Sequence, residues 1–414
     1  MNERIHDLMN YLDSAHSVFH AVEGLKNILE EKGYTRLQES GKWDLQPGGK
    51  YFMTRGGASI MAFRIPEGSP KGFMMSASHA DRPCFKVKEN GELTGKYTRL
   101  AVERYGGMLM GTWLDRPLSI AGRVLVETDK GMETRLVNID RDLLLIPNVA
   151  IHMNRKANEG YAWNPAVDLL PLMGGADAKG KLNALLEEAA GGKIIGHDLY
   201  LYIRQKATIW GLEEAFLSSA ALDDLECAYC CTRGFLDASA SASVPVLCVF
   251  DSEEVGSSSV QGAASDLLEN LLTRICKACD WDLMEMLAGS FMVSADNAHA
   301  VHPNHPEKAD PTNRPYLNGG IVIKYHGSQR YTTDAVSAAR MKQLCKQAGV
   351  PNQTYANRSD VAGGSTLGNI STAHVSVCSV DIGLPQLAMH SAVETAGAKD
   401  TAYAVKVFEE FWRE

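Results

Sequence analysis

The chain is 414 residues long, 45% hydrophobic and 22% charged, with a formal net charge of −9. That length predicts two domains with sizeable cores. The acidic balance argues against nucleic acid or an anionic membrane as the main partner.

The first residues, MNERIHDLMNYLDSAHSVFHAV, pattern as the start of an amphipathic helix rather than a signal peptide. No apolar run approaches membrane-spanning length, so a soluble, cytoplasmic protein is expected. Helices are predicted over residues 3–13 and 20–32, followed by short strands through YFMTRGGASIMAFRI. KGFMMSASHADRP reads as an apolar strand that breaks at His79, Ala80, Asp81 and Pro83. From about residue 90 to 212, short alternating stretches such as LSIAGRVLVET and ETRLVNI alternate with Gly, Asn and Asp, which predicts a β-rich unit. Within it, DAKGKLNALLEEAA is patterned as a helix.

After about residue 213 strands and helices alternate. DDLECAYCCTRGFLDA is predicted as helix, VPVLCVF as strand and SDLLENLLTRICKAC as helix. SFMVSAD, GIVIKYH and HVSVCSVD are predicted strands, and TAYAVKVFEEFWR a closing helix. This alternation predicts a three-layer α/β domain. Residues 1–88 contain strands and helices but no closed unit, so residues 89–212 are expected to be an insertion. The α/β domain is then discontinuous, formed by residues 1–88 and 213–414.

The nine cysteines are odd in number and irregularly spaced, which gives no disulfide framework. Two CxxC pairs, Cys227/Cys230 and Cys276/Cys279, have no glycine or proline inside them and no matching histidine pair. Buried thiols are expected there rather than a zinc knuckle or a redox site.

The predicted strand ends are rich in metal-ligand residue types, and ligands of open α/β sheets gather outside those ends. FMMSAS runs into His79 and Asp81, VPVLCVF into Asp251, Glu253 and Glu254, and FMVSA into Asp296; His390 follows VSVCSVDIG and its turn. Asp223 and Asp224 open a helix, where carboxylates are also ordinary caps. Any one of these alone is more often a surface residue or a cap. Together, on the rim of one sheet, two histidines and several carboxylates suit zinc or manganese, and the lack of a cysteine disfavours a structural zinc site. Two adjacent cations need a shared carboxylate, and a neighbouring carboxylate outside the ligand set can take a proton from water. Of Glu253 and Glu254, one is therefore expected to bind metal and the other to act as base. His299, His302 and His305 recur at three-residue spacing, but Pro303 and Pro306 break any helix there, so a metal role for all three is not expected.

SASHADRP, LDDL, DSEEVGSSSVQGAAS, SADNAHAVHPN, LNGGIVIKYHGSQRYTTD and DIGLPQLAMHSAVETAGAKD resemble, in order, the motifs of the aspartyl aminopeptidase family of dinuclear zinc metallopeptidases. YGGMLMGTWLDRPLSIAGRV, AIHMNR and SVFHAV also match, so the resemblance spans essentially the whole chain. It implies two zinc ions per subunit, with cobalt or manganese as substitutes. Asp223 would bridge them, His79 and Asp296 would complete one site, and Glu254 and His390 the other. Glu253 would be the general base and Asp81 the carboxylate that orients His79. Lys324 falls in the substrate-proximal motif, and His152 matches a histidine of the inserted domain that reaches a neighbouring subunit's active site. The resemblance further implies peptide substrates, an inserted domain that mediates dimerisation, and a tetrahedral dodecamer. The chain departs from the family in reading SHADRP where HTDSP is more usual, which introduces Arg82.

The function so implied is removal of the N-terminal residue of peptides, with a preference for Asp or Glu. A second possibility keeps the metal site but changes the substrate, as in a broad neutral aminopeptidase or a deacylase. A third, a non-catalytic assembly or cargo protein on the same fold, predicts gaps in the ligand set, and none is visible.

Overall fold

FMMSASH and VPVLCVF form the strands Phe73–His79 and Val244–Phe250, and every residue of both is buried. Burial on two faces is why these runs are nearly continuous in apolar residues instead of alternating. The strands pair in parallel, from Val244 opposite Phe73 to Phe250 opposite His79. Successive side chains point to opposite cores. Met75, Ala77, Val246 and Cys248 pack on the side of Leu271, from the helix Leu267–Cys279. Met74, Leu247 and Val249 pack on the side of Leu8, Val22, Leu225 and Phe408. Those four belong to the helices Asn2–Ser14, Val18–Glu31, Leu222–Asp237 and Asp400–Phe411. The result is a sheet between two helical layers, as strand–helix alternation predicts. The structure, a computed structural model, describes residues 2–239 and 242–414.

This central sheet has nine strands. Phe291–Ala295 and Cys378–Gly383 extend the parallel set beyond Phe73–His79. Antiparallel neighbours flank it, Ser59–Arg64 on one side and Ile321–Tyr325 on the other. The carboxyl ends of the four parallel strands, at Phe250, His79, Ala295 and Gly383, therefore open onto one rim.

A six-stranded antiparallel sheet is built from residues between Cys84 and Ile203. Leu182, Leu186 and Ala190 of the helix Lys181–Ala190 close one of its faces over Val124 and Leu199. The other face meets the N-terminal helices, where the Arg123 guanidinium stacks 4.4 Å from the Phe19 ring centre. A third sheet joins five short strands, Thr208–Trp210, Phe216–Ser219, Glu394–Gly397, Pro385–Leu387 and Ala298–His299. Strands of two to four residues are too short to carry a readable period, and none of them was expected.

The expected N-terminal helices appear as Asn2–Ser14 and Val18–Glu31. HVSVCSVD differs from expectation: a helix runs over Leu367–His374 and only Cys378–Gly383 is strand. Val375 and Val377 are apolar because they pack into the core at a helix end, not because they sit on a pleat. Cys227, Cys230 and Cys276 are buried free thiols and Cys279 is partly buried. Among the described residues, no helix is long and apolar enough to cross a membrane.

Candidate metal centre

The rim is organised by Asp81. The chain leaves the strand at His79, and the Asp81 carboxylate turns back under the loop that follows Phe250. Its Oδ1 accepts the Glu253 N–H at 3.1 Å and its Oδ2 the Glu254 N–H at 3.1 Å. The Tyr105 hydroxyl donates to Oδ2 at 2.8 Å. The same residue orients His79, whose Nδ1 lies 3.1 Å from the Asp81 main-chain oxygen and 3.3 Å from Oδ1. Nε2 is left facing the rim, 3.6 Å from Asp223 Oδ1 and 4.0 Å from Glu253 Oε2. An imidazole held at one nitrogen and free at the other is what a metal-binding histidine needs.

His390 is held the same way from another direction. Its Nδ1 lies 2.6 Å from the Gly107 carbonyl. Its Nε2 lies 3.3 Å from Asp223 Oδ2 and 3.4 Å from Glu254 Oε2. Gly106 has to be glycine: its φ is +75°, and a Cβ there would sit 3.1 Å from the Glu254 Cβ. Asp223 and Asp224 are both buried, with non-helical φ and ψ at the start of their helix. They are not solvated caps. The Asp224 Oδ2 accepts the His79 N–H at 3.1 Å.

Two groups of donor atoms meet at Asp223. His79, Asp223 and Glu254 form one, and Asp223, Asp224 and Asp296 the other, each with its ligand atoms within 4.8 Å of one another. Buried oxygens in both lack a hydrogen-bond partner: Asp223 Oδ1, Asp224 Oδ1 and Glu254 Oε1. Such atoms are costly to bury unless something else satisfies them. Burial pushes Glu253 up to about 8, opposed by His79 and helped by the charges of Asp296, Asp223 and Asp81. Burial and the Asp223 charge likewise drive Glu254 well above the usual carboxylate range. Asp223 is held low despite its burial by the His390 and His79 rings beside it. Several carboxylates and two imidazoles with orphaned oxygens fit hard or borderline divalent cations, zinc included.

Of the residues singled out in the sequence, His79, Asp81, Asp223, Glu253, Glu254, Asp296 and His390 converge here. Asp224 joins them as an additional donor that a cap-like sequence position concealed. Lys324 is buried at the edge, its ammonium 3.4 Å from Asp296 Oδ2 and 3.0 Å from the Asn297 carbonyl. Arg82 does not face the cluster; its guanidinium donates to the carbonyls of Ala15 at 2.7 Å and His16 at 2.6 Å, tying the N-terminal helices to the rim loop. His152 stands apart in an exposed turn at residues 151–153. His299, His302 and His305 are exposed, and none belongs to the donor groups found among the described residues.

A sheet between two helical layers, whose rim collects one buried and one partly exposed imidazole with unsatisfied carboxylates, defines a metal-dependent hydrolase of the zinc-peptidase type. More specifically, the chain belongs to the aminopeptidase I zinc metalloprotease family (M18), whose model matches residues 11–412. The family resemblance of the sequence motifs is thereby borne out, and the chain is a zinc-dependent aminopeptidase. A probable M18 family aminopeptidase 2 of Clostridium novyi is 44% identical over 98% of both chains. Among solved structures, Ape4 in its complex with Nbr1 superposes with a TM-score of 0.95 at 35% identity, covering 99% of this chain and 85% of that one. The S. cerevisiae mApe1 dodecamer gives 0.88 at 26% identity, covering 100% and 97%.

Proposed function

We propose that the rim holds two zinc ions bridged by Asp223 and that the chain removes N-terminal residues from peptides, with a preference for Asp or Glu. The observation that carries this reading is Asp223 itself, the one carboxylate common to both donor groups. The sequence motifs imply that His79 and Asp296 would complete one site and Glu254 and His390 the other, whereas the donor groups of the structure set His79 beside Glu254 and Asp296 beside Asp224. When bound, the ions supply Lewis acidity to the scissile carbonyl and acidify the attacking water.

The chain's own residues do the rest. Glu253 takes the proton of the attacking water on its carboxylate and returns it to the leaving amine. Asp81 keeps His79 oriented and anchors the Glu253 and Glu254 main chain. Lys324 donates to the Asn297 carbonyl and lies 3.4 Å from Asp296 Oδ2, and a remaining N–H would serve an acidic first side chain of the substrate. Residues 89–212 act as a dimerisation and lid unit, and His152 of a second copy reaches the substrate carbonyl. Dimers assemble into a tetrahedral dodecamer, an idea supported by the dodecamer that mApe1 forms. The nine free cysteines suit a reducing compartment, the cytoplasm.

The test is Glu253→Gln, read by zinc content and by a panel of Asp, Glu, Leu and Ala aminoacyl-nitroanilides. The variant keeps two zinc ions per chain and loses kcat by about 10²-fold or more. Near-normal kcat moves the base elsewhere, and one zinc per wild-type chain removes the paired site. Equal kcat/KM for Leu and Asp substrates in the wild type turns the enzyme into a broad neutral aminopeptidase.

A further inference from the structure

Glu394 opens the strand Glu394–Gly397 of the five-stranded sheet and is buried. Its Oε2 accepts the main-chain N–H of Asp223 at 3.0 Å, and its Oε1 accepts the main-chain N–H of His390 at 2.7 Å. Both donors lie where regular structure offers no acceptor. Asp223 has non-helical φ and ψ at a helix start, and His390 lies in a turn with φ +66°. One carboxylate therefore satisfies one buried and one part-buried backbone N–H that regular structure leaves without an acceptor.

The two residues it joins come from distant parts of the chain and face each other across the rim, with His390 Nε2 3.3 Å from Asp223 Oδ2. The orientation of the His390 ring comes from elsewhere, through Gly107. What Glu394 adds is the separation of the two main chains. We infer that Glu394 is a positioning residue: it fixes Asp223 and His390 at the spacing that one cation held by both requires, and touches neither cation nor substrate. This rests on the two-zinc reading above.

The experiment measures zinc affinity in Glu394→Gln and Glu394→Asp by competition with a chromophoric chelator, alongside metal-free thermal midpoints and steady-state kinetics. Gln keeps the volume but presents an NH2 group to one of the two N–H donors; Asp keeps both acceptor oxygens on a shorter stem. Glu394→Gln is expected to bind one of its two ions about 10- to 100-fold more weakly. Its kcat should recover in excess zinc with KM unchanged, and Glu394→Asp should bind zinc more tightly than Gln does. Wild-type affinity for both ions in Glu394→Gln overturns the assignment while leaving the two-zinc reading intact. So does a loss of both ions in proportion to a lowered metal-free midpoint, which would make the residue merely structural. A wild-type chain that takes up no zinc pair removes the underlying reading and this one with it.

Discussion

Asp198, on the six-stranded sheet, and Glu254, on the rim of the nine-stranded sheet, are acids in similar chemical need and opposite circumstances. Lys86 Nζ reaches Asp198 at 2.9 Å and the Arg123 guanidinium at 2.8 Å. Burial pushes the Asp198 carboxyl up, but the two cations outweigh it and hold the group below the usual carboxylate range. Glu254 has Asp223 and Glu253 nearby, opposed by His79, and the His390 ring lies 3.4 Å away. One region carries its own counter-charges. The other gathers more carboxylates than Lys324, 3.4 Å from Asp296, can offset, and that excess marks the rim as a candidate cation site.

The comparison breaks most visibly at Asp223. Asp223→Asn removes the one carboxylate shared by both donor groups and leaves the repulsion between two cations uncompensated. Zinc content should fall below two per chain and kcat/KM by about 10²-fold or more. Atomic absorption on the purified variant gives the first number and a nitroanilide assay the second. A variant that keeps both ions would show that the rim does not depend on a bridge.

How much of this could be read from the chain follows the same division. His79 ends a buried strand, Asp296 directly follows another, and Glu253 and Glu254 stand three and four residues past a third, so the breaks in apolar pattern that end those strands also point to the candidate ligands. His390 was legible as the residue after a strand and a turn, although the strand Pro385–Leu387 that helps present it was not. Asp224 stood with Asp223 among the rim acids but drew no separate role, because a carboxylate at a helix start has the same sequence signature whether it faces water or a buried cluster. Glu394 gave no signal at all. Its role is to accept two backbone N–H groups from segments remote from each other, and backbone partners leave no trace in residue type. The five-stranded sheet was invisible for a related reason: its strands are short and are paired by tertiary contact.

A sharper version of the comparison asks whether the two regions cooperate across subunits. His152 is exposed in the turn at residues 151–153, remote in sequence from every rim ligand. If a second copy brings it to the rim, His152→Ala should lose about 10-fold or more in kcat with its zinc retained. Mixing it with Glu253→Gln under conditions of subunit exchange should then restore part of the activity, because a mixed dimer holds one site with both residues intact. Full activity in His152→Ala alone, or no recovery on mixing, would confine the six-stranded sheet to a structural role.

The smallest effect tests the self-sufficient side. Asp198→Asn removes a half-buried pair of ion contacts on the six-stranded sheet, so the loss of stability at neutral pH should be about 1 kcal/mol. Because its folded pKa is depressed, the wild-type residue contributes stability that is fully present above the unfolded value of about 4 and is lost as pH falls through the folded one. The difference between wild type and variant, read from urea midpoints, should therefore shrink as the solution is acidified toward pH 3. The metal-free rim has the opposite sign. Burial raises Glu253 to about 8 and Asp251 to about 7. The folded chain then holds protons that the unfolded chain has released, and metal-free stability falls as pH rises from about 4 to about 8. Zinc should cancel that second slope and leave the Asp198→Asn difference untouched. If zinc instead changes the cost of Asp198→Asn, the two regions are coupled, and the six-stranded sheet is not electrostatically independent of the rim.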